Sequence, residues 1–559
     1  MKRFACLLLA LLLLTGCAGG TTDPTAQPGQ TTSTTQDTTG YTGPYIEFPD
    51  VSRPTDEATQ PTDSQQDQTA QGGNQGGNQS DPQHSHTDAN DDGTCDSCSG
   101  NLLVKVDFYN INDLHGKVAD AANHPGVDEM TTYFKQAAYN NDHVVFLSSG
   151  DMWQGASESN TTQGSIVVDW MNAVGFTSMT LGNHEYDWGE DPIRSNDAIA
   201  NFPFLAINIY SRSTDQRVSY CQPSVMIDRG GVQIGIIGAM GDCYSSIAAD
   251  KTREIYFKTG SQLTALVKAE SQRLRSAGAD FIVYVIHDGY DNSTGNSVKS
   301  ISDSQLKSYY DISLSDGYVD LVFEGHTHQR YILMDSKDVY HLQNGGDNQG
   351  ICHVEASINS VTGSSRVTLK QLVTASTYAN MADDPIVQQL LDKYNDVLAD
   401  SQRILGNNSR QRDNKEMRQL VADLYYQVGM AEWGDEYDIA LGGGFISIRD
   451  PRYLAKGQVT YAQLHGLFPF DNELVLCSVK GRDLKEKFFE SDHYSYFISY
   501  GSYGSQLRNN IDPNATYYIV VDSYTSTYAP NNLTEIARYT EGVYARDLLA
   551  DYIQSGGMN

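Results

Sequence analysis

Basic side chains are scarce in this chain of 559 residues: 38 Lys and Arg stand against 70 Asp and Glu, for a net charge of −32. That balance argues against a nucleic acid polymer as partner, because phosphate backbones are bound by Lys and Arg surfaces. Any phosphate handled here must meet local cations. The apolar run at 4–14 is too short to span a bilayer. Aliphatic residues almost vanish between 18 and about 100, where Thr, Gln, Gly, Ser, Asn, Asp and Pro dominate and thirteen acidic residues face Arg53 alone. Such a segment buries too little surface to offset the entropy of ordering, so residues 17–100 are expected to form a disordered acidic stalk. Paired cysteine spacing is also rare: Cys221, Cys243, Cys352 and Cys477 stand apart, which points to buried apolar filler rather than a disulfide framework.

What is present begins with a targeting pattern. Lys2-Arg3, the apolar run and Leu14-Thr15-Gly16-Cys17 give a charged region, a short greasy region and a small-residue cleavage site in order. The pattern resembles a bacterial lipoprotein signal, which implies a signal peptide over 1–16 and a lipid anchor to the membrane at Cys17. An ordinary secretory peptide with an incidental Cys is the alternative. An island at 84–98 interrupts the stalk. Asp88, Asn90, Asp92 and Gly93 fit the first half of a calcium loop, but no Glu stands at the twelfth place. Cys95 and Cys98, with His84 and His86, suit zinc or a small disulfide. A small knot holding calcium or zinc and a metal-free polar linker both remain open for it.

The length suggests two or three folded units. Folded sequence begins near Leu102 with a strand pattern ending in Asp113 and His115, two apart and therefore on one side of an extended segment. A helical pattern at 129–139 precedes the apolar strand 144–148, which runs into Asp151. The amphipathic stretch 165–174 leads to a strand at 178–181 and then Gly182-Asn183-His184-Glu185-Tyr186-Asp187. In that hexapeptide Asn183 offers a hard oxygen, and Asp187 can hold the His184 imidazole protonated. A polar loop capping a helix is the plainer reading. Strand 232–237 and helix 263–277 follow, then 281–286 runs into His287 and 319–323 into His326 and His328. Ligands collect beyond the carboxyl ends of strands in sheets with helical connections. Seven donors therefore emerge: Asp113, His115, Asp151, Asn183, His287, His326 and His328. Mixed nitrogen and oxygen donors suit two divalent ions of the zinc, manganese or iron type, and one shared carboxylate would set them about 3.5–4 Å apart.

These motifs resemble the calcineurin-like metallophosphoesterases, and within them the bacterial two-domain 5′-nucleotidases. The resemblance covers the chain from about Leu102 onward and is more specific in its first half. It implies an α/β chain, α+β overall: a four-layer β-sandwich flanked by helices over 101–376, and an α/β substrate-binding domain over 377–559. It implies that Asp113, His115, Asp151 and His328 hold one metal, and that Asp151, Asn183, His287 and His326 hold the other, with Asp151 as bridge. His184, oriented by Asp187, would stabilise the transition state or protonate the leaving group. The metals would activate water and neutralise the charge developing at phosphorus.

In the second half a strand pattern at 366–372 precedes a helical one at 385–398, where the boundary between domains is expected. A helix at 416–428 and a strand at 437–441 lead to Gly442-Gly443-Gly444-Phe445, and later to Leu467-Phe468-Pro469-Phe470-Asp471-Asn472. By the resemblance Phe470 stacks a base, Asn472 hydrogen-bonds it, and Tyr524 is the second aromatic; base stacking is worth about 1–3 kcal/mol. Core packing is the plainer role for Phe470. Where the family has Ile-Arg after the glycine run, this chain reads Phe445-Ile446-Ser447-Ile448-Arg449, so Arg449 takes the place of that Arg only if the loop bulges, and the family's Gly-Gly-Asp-Gly is replaced at 528–532. Arg410 and Arg412 are candidate phosphate contacts, with solvated surface cations as the plainer reading. The expected activity is extracytoplasmic, at the cell surface: release of phosphate from nucleotides for nucleoside and phosphate salvage. Cleavage of 2′,3′-cyclic nucleotides, nucleotide sugars or other phosphate esters stands as a variant, and a catalytically inactive surface binding or adhesion protein as the reading from another class.

Overall fold

The computed structural model describes residues 85–120, 125–302, 304–305, 318–449, 451–490, 496–500, 506–528, 531–539 and 542–559. The signal segment, Cys17, the stalk as far as residue 83 and His84 lie outside the described residues.

Alternation along the strands dictates the layers of the first domain. In Leu103–Ile111 and Val144–Ser148, Val106, Phe108, Val145 and Leu147 point one way, into a core shared with a second sheet. Tyr109 and Phe146 point the other way, against Phe134 of the helix Asp128–Asn140. The strand Phe281–His287 repeats the rule: Phe281, Val283 and Val285 enter the core between sheets, while Ile282, Tyr284 and Ile286 meet Leu263, Val267 and Leu274 of the helix Ser261–Ser276. Strands covered on both faces read as unbroken apolar runs, and helix, sheet, sheet and helix make four layers. Phe108 stacks on Phe281 at 5.5 Å across the middle.

The first sheet has six strands, in the order Ser365–Thr374, Gly350–Asn359, Leu103–Ile111, Val144–Ser148, Ser178–Thr180 and Phe204–Leu205. Its last four are parallel. In the seven-stranded second sheet Leu321–Phe323, Phe281–His287 and Val232–Met240 are parallel neighbours. The strands that deliver donors are thus parallel within each sheet. The antiparallel strands Arg330–Met334, Tyr340–Asn344 and Gly350–Asn359, not anticipated from the sequence, complete the two sheets.

The expected helix at 385–398 is broken into Pro385–Lys393 and Asn395–Leu398. Asp384 caps the first piece and Pro385 starts it. The break falls at Tyr394, whose hydroxyl donates to Asp169 at 2.6 Å while Lys393 donates to the same carboxylate at 2.7 Å. Tertiary hydrogen bonds override local periodicity there. Beyond it, Asp413 and Glu416 form a capping box for the helix Asn414–Trp433, longer at both ends than expected. That helix packs against a five-stranded sheet ordered Phe497–Tyr500, Ile439–Gly444, Thr516–Asp522, Leu474–Lys480 and Thr534–Arg538. Gly442 lies within a strand, and a Cβ there would collide with the backbone nitrogen of Tyr426. Gly442 therefore serves close packing of strand on helix, while Gly443 abuts the backbone of Phe497 in the neighbouring strand.

Residues 85–100, which composition placed in the stalk, are an ordered turn tied to the first domain. Asp88 accepts from the backbone nitrogens of Asp92 and Gly93 and from Asn359 Nδ2 at 2.7 Å, and Asp91 accepts from Thr362 at 2.7 Å. Cys95 and Cys98 are thiols rather than a disulfide.

Candidate metal centre

All seven expected donors stand at the ends of five strands. Asp113 and His115 follow Leu103–Ile111, Asp151 follows Val144–Ser148, and Asn183 opens the tight helical turn Asn183–Tyr186 after Ser178–Thr180. His287 closes Phe281–His287, and His326 and His328 follow Leu321–Phe323. His328 Nε2 lies 3.3 Å from Asp113 Oδ1 and 3.1 Å from His115 Nε2. His287 Nε2 lies 3.0 Å from Asp151 Oδ2 and 3.1 Å from Asn183 Oδ1. Asp113 groups both with His115 and His328 and with Asp151 and His287, and the His326 ring stands 5.5 Å from that of His287.

The donor set fits divalent cations. His115 Nδ1 contacts the Gln154 carbonyl at 2.8 Å and His287 Nδ1 the Ser149 carbonyl at 2.6 Å. A ring N–H donating to each carbonyl leaves Nε2 as a lone pair facing inward, the arrangement that fixes metal-binding tautomers. Burial, then the neighbouring His328 and Arg449, push His115 down to about 3, so it is neutral as a ligand must be. Burial also opposes charge on His287, yet Asp151, the hydrogen bond to it, and Asp113 raise it to about 10. A cation among these carboxylates inverts that balance and favours the neutral ring.

Backbone strain is concentrated here. Asp113, His115, Asp151, His326 and His328 have φ of 51°, 51°, 55°, 69° and 53°. Left-handed backbone costs an ordinary L-residue about 1–2 kcal/mol. Five of the seven donors adopt it, and all five are Asp or His, types that enter this region more readily than most. Close approach adds a second constraint: a Cβ on Gly182 would collide with Asp151 Oδ1.

His184 sits at the edge of the donors. Its Nδ1 meets Asp187 Oδ2 at 2.7 Å and its backbone nitrogen donates to Asp151 Oδ1 at 2.8 Å. Burial works against protonation of His184, but Asp187 and Asp151 outweigh it and raise its pKa. The second domain reaches the same ring. Arg449 Nη2 is 3.0 Å from His184 Nε2, and Phe470 lies 5.8 Å from the His184 ring and 5.4 Å from the Arg449 guanidinium. Arg449 thus stands beside His184 despite the altered spacing after the glycine run.

Other expected substrate residues are placed differently. Tyr524 pairs with Phe445 at 5.9 Å and stacks toward Tyr528 at 6.5 Å. Asn472 is half-buried, and its carbonyl accepts from the Ala545 nitrogen at 2.9 Å. Arg410 is exposed and forks onto Glu416 at 2.7 and 3.0 Å.

Two supporting groups escaped the sequence reading. Glu185, fully buried, accepts from the backbone nitrogens of Gly182, Asp151 and Met152 at 2.6, 3.0 and 2.8 Å, pinning two donor loops together. Burial and then Asp151 push it up to about 7. Its place three residues after Gly182 was the available signal, since an acidic side chain there reaches back to the turn's first nitrogen. Glu324 accepts from His341 Nδ1 at 2.8 Å, and Gln343 Nε2 donates to the Gly325 carbonyl at 2.7 Å, bracing the loop before His326. No local pattern announces that pair.

The pattern of the calcineurin-like phosphoesterases matches residues 107–330, and that of the 5′-nucleotidase C-terminal domain matches residues 397–503. Protein UshA of Yersinia enterocolitica is 25% identical over 469 residues, covering 74% of this chain and 82% of its own length. A putative 5′-nucleotidase from Staphylococcus aureus superposes with a TM-score of 0.61 at 17% identity, over 81% of this chain and 98% of its own. The 5′-nucleotidase precursor from Thermus thermophilus gives 0.60 at 17% identity, over 81% and 96%. At those identities the structural likeness is one of fold. Family patterns, the relative and the metal-binding groups agree: the chain is a metal-dependent phosphoester hydrolase and belongs to the calcineurin-like phosphoesterases, in the two-domain form that carries a 5′-nucleotidase C-terminal domain.

Proposed function

We propose that this enzyme releases phosphate from nucleotides outside the cytoplasm, in the manner of a 5′-nucleotidase, and so serves nucleoside and phosphate salvage. The observation that carries the reading is the meeting of His184, Arg449 and Phe470: a proton carrier, a cation for phosphate and a flat ring for a base, at the rim of the donors. On this reading the domains divide near residue 376, and Cys17 bears the lipid of an exported, membrane-anchored chain. Among the described residues no helix is long and apolar enough to cross a membrane. Replacing Cys17 by Ser should release the protein from the membrane fraction; unchanged fractionation would remove the anchor from the account.

Asp113, His115, Asp151 and His328 would hold one cation and Asp151, Asn183, His287 and His326 the other, supplying Lewis-acid polarisation of the phosphoryl group and a water of lowered pKa. Arg449 Nη2 faces His184 Nε2 at 3.0 Å, where its charge opposes protonation of the ring. A phosphate oxygen is the stronger acceptor for that guanidinium, so substrate draws Arg449 away and leaves Nε2 free to take a proton. Asp187 stabilises the imidazolium, which then protonates the leaving oxygen. Phe470 offers its face to the base, where stacking contributes about 1–3 kcal/mol.

Because the residues at 528–532 depart from the family's pattern, a 2′,3′-cyclic nucleotide or a nucleotide sugar stands as a second reading within the same chemistry. Phosphate release from a panel of nucleotides and simple esters, with manganese or zinc and with chelator, tests both. His184→Ala should lower turnover by about 10²–10⁴ on any true substrate. If fully metallated protein hydrolyses none of the panel, a surface binding protein is the better description.

A further inference from the structure

A second cluster of ligating atoms lies outside the centre described above. His86 Nδ1 is 3.2 Å from Cys95 Sγ and 3.6 Å from Cys98 Sγ, and the three atoms lie within 4.8 Å of one another. A tetrahedral zinc with Zn–S of about 2.3 Å and Zn–N of about 2.0 Å has edges of roughly 3.5 to 3.8 Å between its donors. The observed spacings are close to those edges.

The backbone builds this arrangement rather than leaving it to side-chain chance. Asp96 N donates to the Thr87 carbonyl at 2.8 Å, which sets the segment carrying His86 beside the cysteine turn. Ser99 N donates to the Cys95 carbonyl and Cys95 N to that of Gly100, both at 2.8 Å, folding Cys-x-x-Cys into a tight knuckle. Cys95 is buried while His86 and Cys98 are exposed, so the cluster has a closed side and an open one. Two thiols and one imidazole form a soft set that selects zinc over magnesium, calcium or manganese. The oxygen donors of the same island face the protein: Asp88 holds Asp92, Gly93 and Asn359, and Asp91 holds Thr362 and Ser364.

We infer that His86, Cys95 and Cys98 bind a zinc ion that closes the 86–98 loop on itself, while Asp88 and Asp91 hold that loop to the first domain through Asn359 and Thr362. The loop needs such a staple, because short segments with little apolar content do not stay folded on their own core. Leu103, against which Gly93 packs, begins the strand that ends before Asp113. From Leu103 to Asp113, ten residues at about 3.3 Å each span roughly 30 Å. The zinc site therefore stands apart from the hydrolytic centre.

The test uses the full chain and cobalt as a zinc substitute. Wild type should show sulfur-to-cobalt charge-transfer absorption that zinc displaces, and Cys95→Ser/Cys98→Ser should lose that absorption together with one equivalent of metal while releasing phosphate at the wild-type rate. Equal metal content and equal spectra in the two proteins would overturn the proposal. A second measurement needs no variant: zinc should slow alkylation of Cys98 at least about tenfold, and chelator should restore it. Alkylation indifferent to zinc, or an intact mass showing Cys95 and Cys98 oxidised to each other in the native protein, would also overturn it.

Discussion

Arg449 Nη2 stands 3.0 Å from His184 Nε2, while Asp187 holds the opposite ring nitrogen at 2.7 Å. One imidazole is thus gripped by a cation from the second domain and an anion from the first, and the two pull its proton affinity in opposite directions. Asp187 raises it and Arg449 lowers it, on a ring whose burial already disfavours charge.

The pH profile reads this opposition. If His184 acts as a protonated acid, activity falls as pH rises through its pKa. Asp187→Asn removes a raising charge, so the alkaline limb of kcat/KM should move to lower pH, by about one unit for each 1.36 kcal/mol lost. Arg449→Ala removes a lowering charge and should move the limb to higher pH. Shifts of the same sign in both variants would contradict the assignment.

Glu185 should matter to stability and to metal together. Replacing it by Ala strands three buried backbone N–H groups that its carboxylate now accepts from, a loss of about 3 kcal/mol or more. The same change loosens the loop that presents Asp151, so metal affinity should fall by about 10–100-fold. Urea unfolding and calorimetric metal titration check the two effects. A stable variant with unaltered metal affinity would mean that the carboxylate braces nothing.

Phe470 separates recognition of the base from chemistry. Phe470→Ala should raise KM for nucleotides by about 10-fold, in keeping with about 1–3 kcal/mol of stacking, and leave a small aryl-free phosphate ester nearly unaffected. Equal losses on both would place the ring in packing around His184 rather than against a base.

The donors were legible because each obeys a local rule: an apolar strand, then a polar ligand where the chain must turn. Helix Ser165–Val174 was legible for a similar reason, standing between Gly164 and Gly175, although six successive residues from Ile166 to Met171 are buried rather than one face alone. What the sequence withheld is non-local. Arg330 pairs with Asn344 and Tyr109 with His353, registers that depend on the whole sandwich and leave no short-range mark. The left-handed backbone at Asp113, His115 and Asp151 is likewise set by surrounding structure, on residue types that tolerate it better than most but do not announce it. The reach of Arg449 to His184 follows from domain packing, and motif spacing argued against it. The break at Tyr394 needed Asp169, more than two hundred residues earlier.

Anomalous diffraction at a metal absorption edge, from crystals of manganese- or zinc-loaded protein, tests the central claim most directly. The account predicts two peaks about 3.5–4 Å apart, one in ligating reach of Asp113, His115 and His328, the other of Asn183, His287 and His326, with Asp151 reaching both. No peak among these side chains, or peaks that leave Asp151 without a metal, would contradict it.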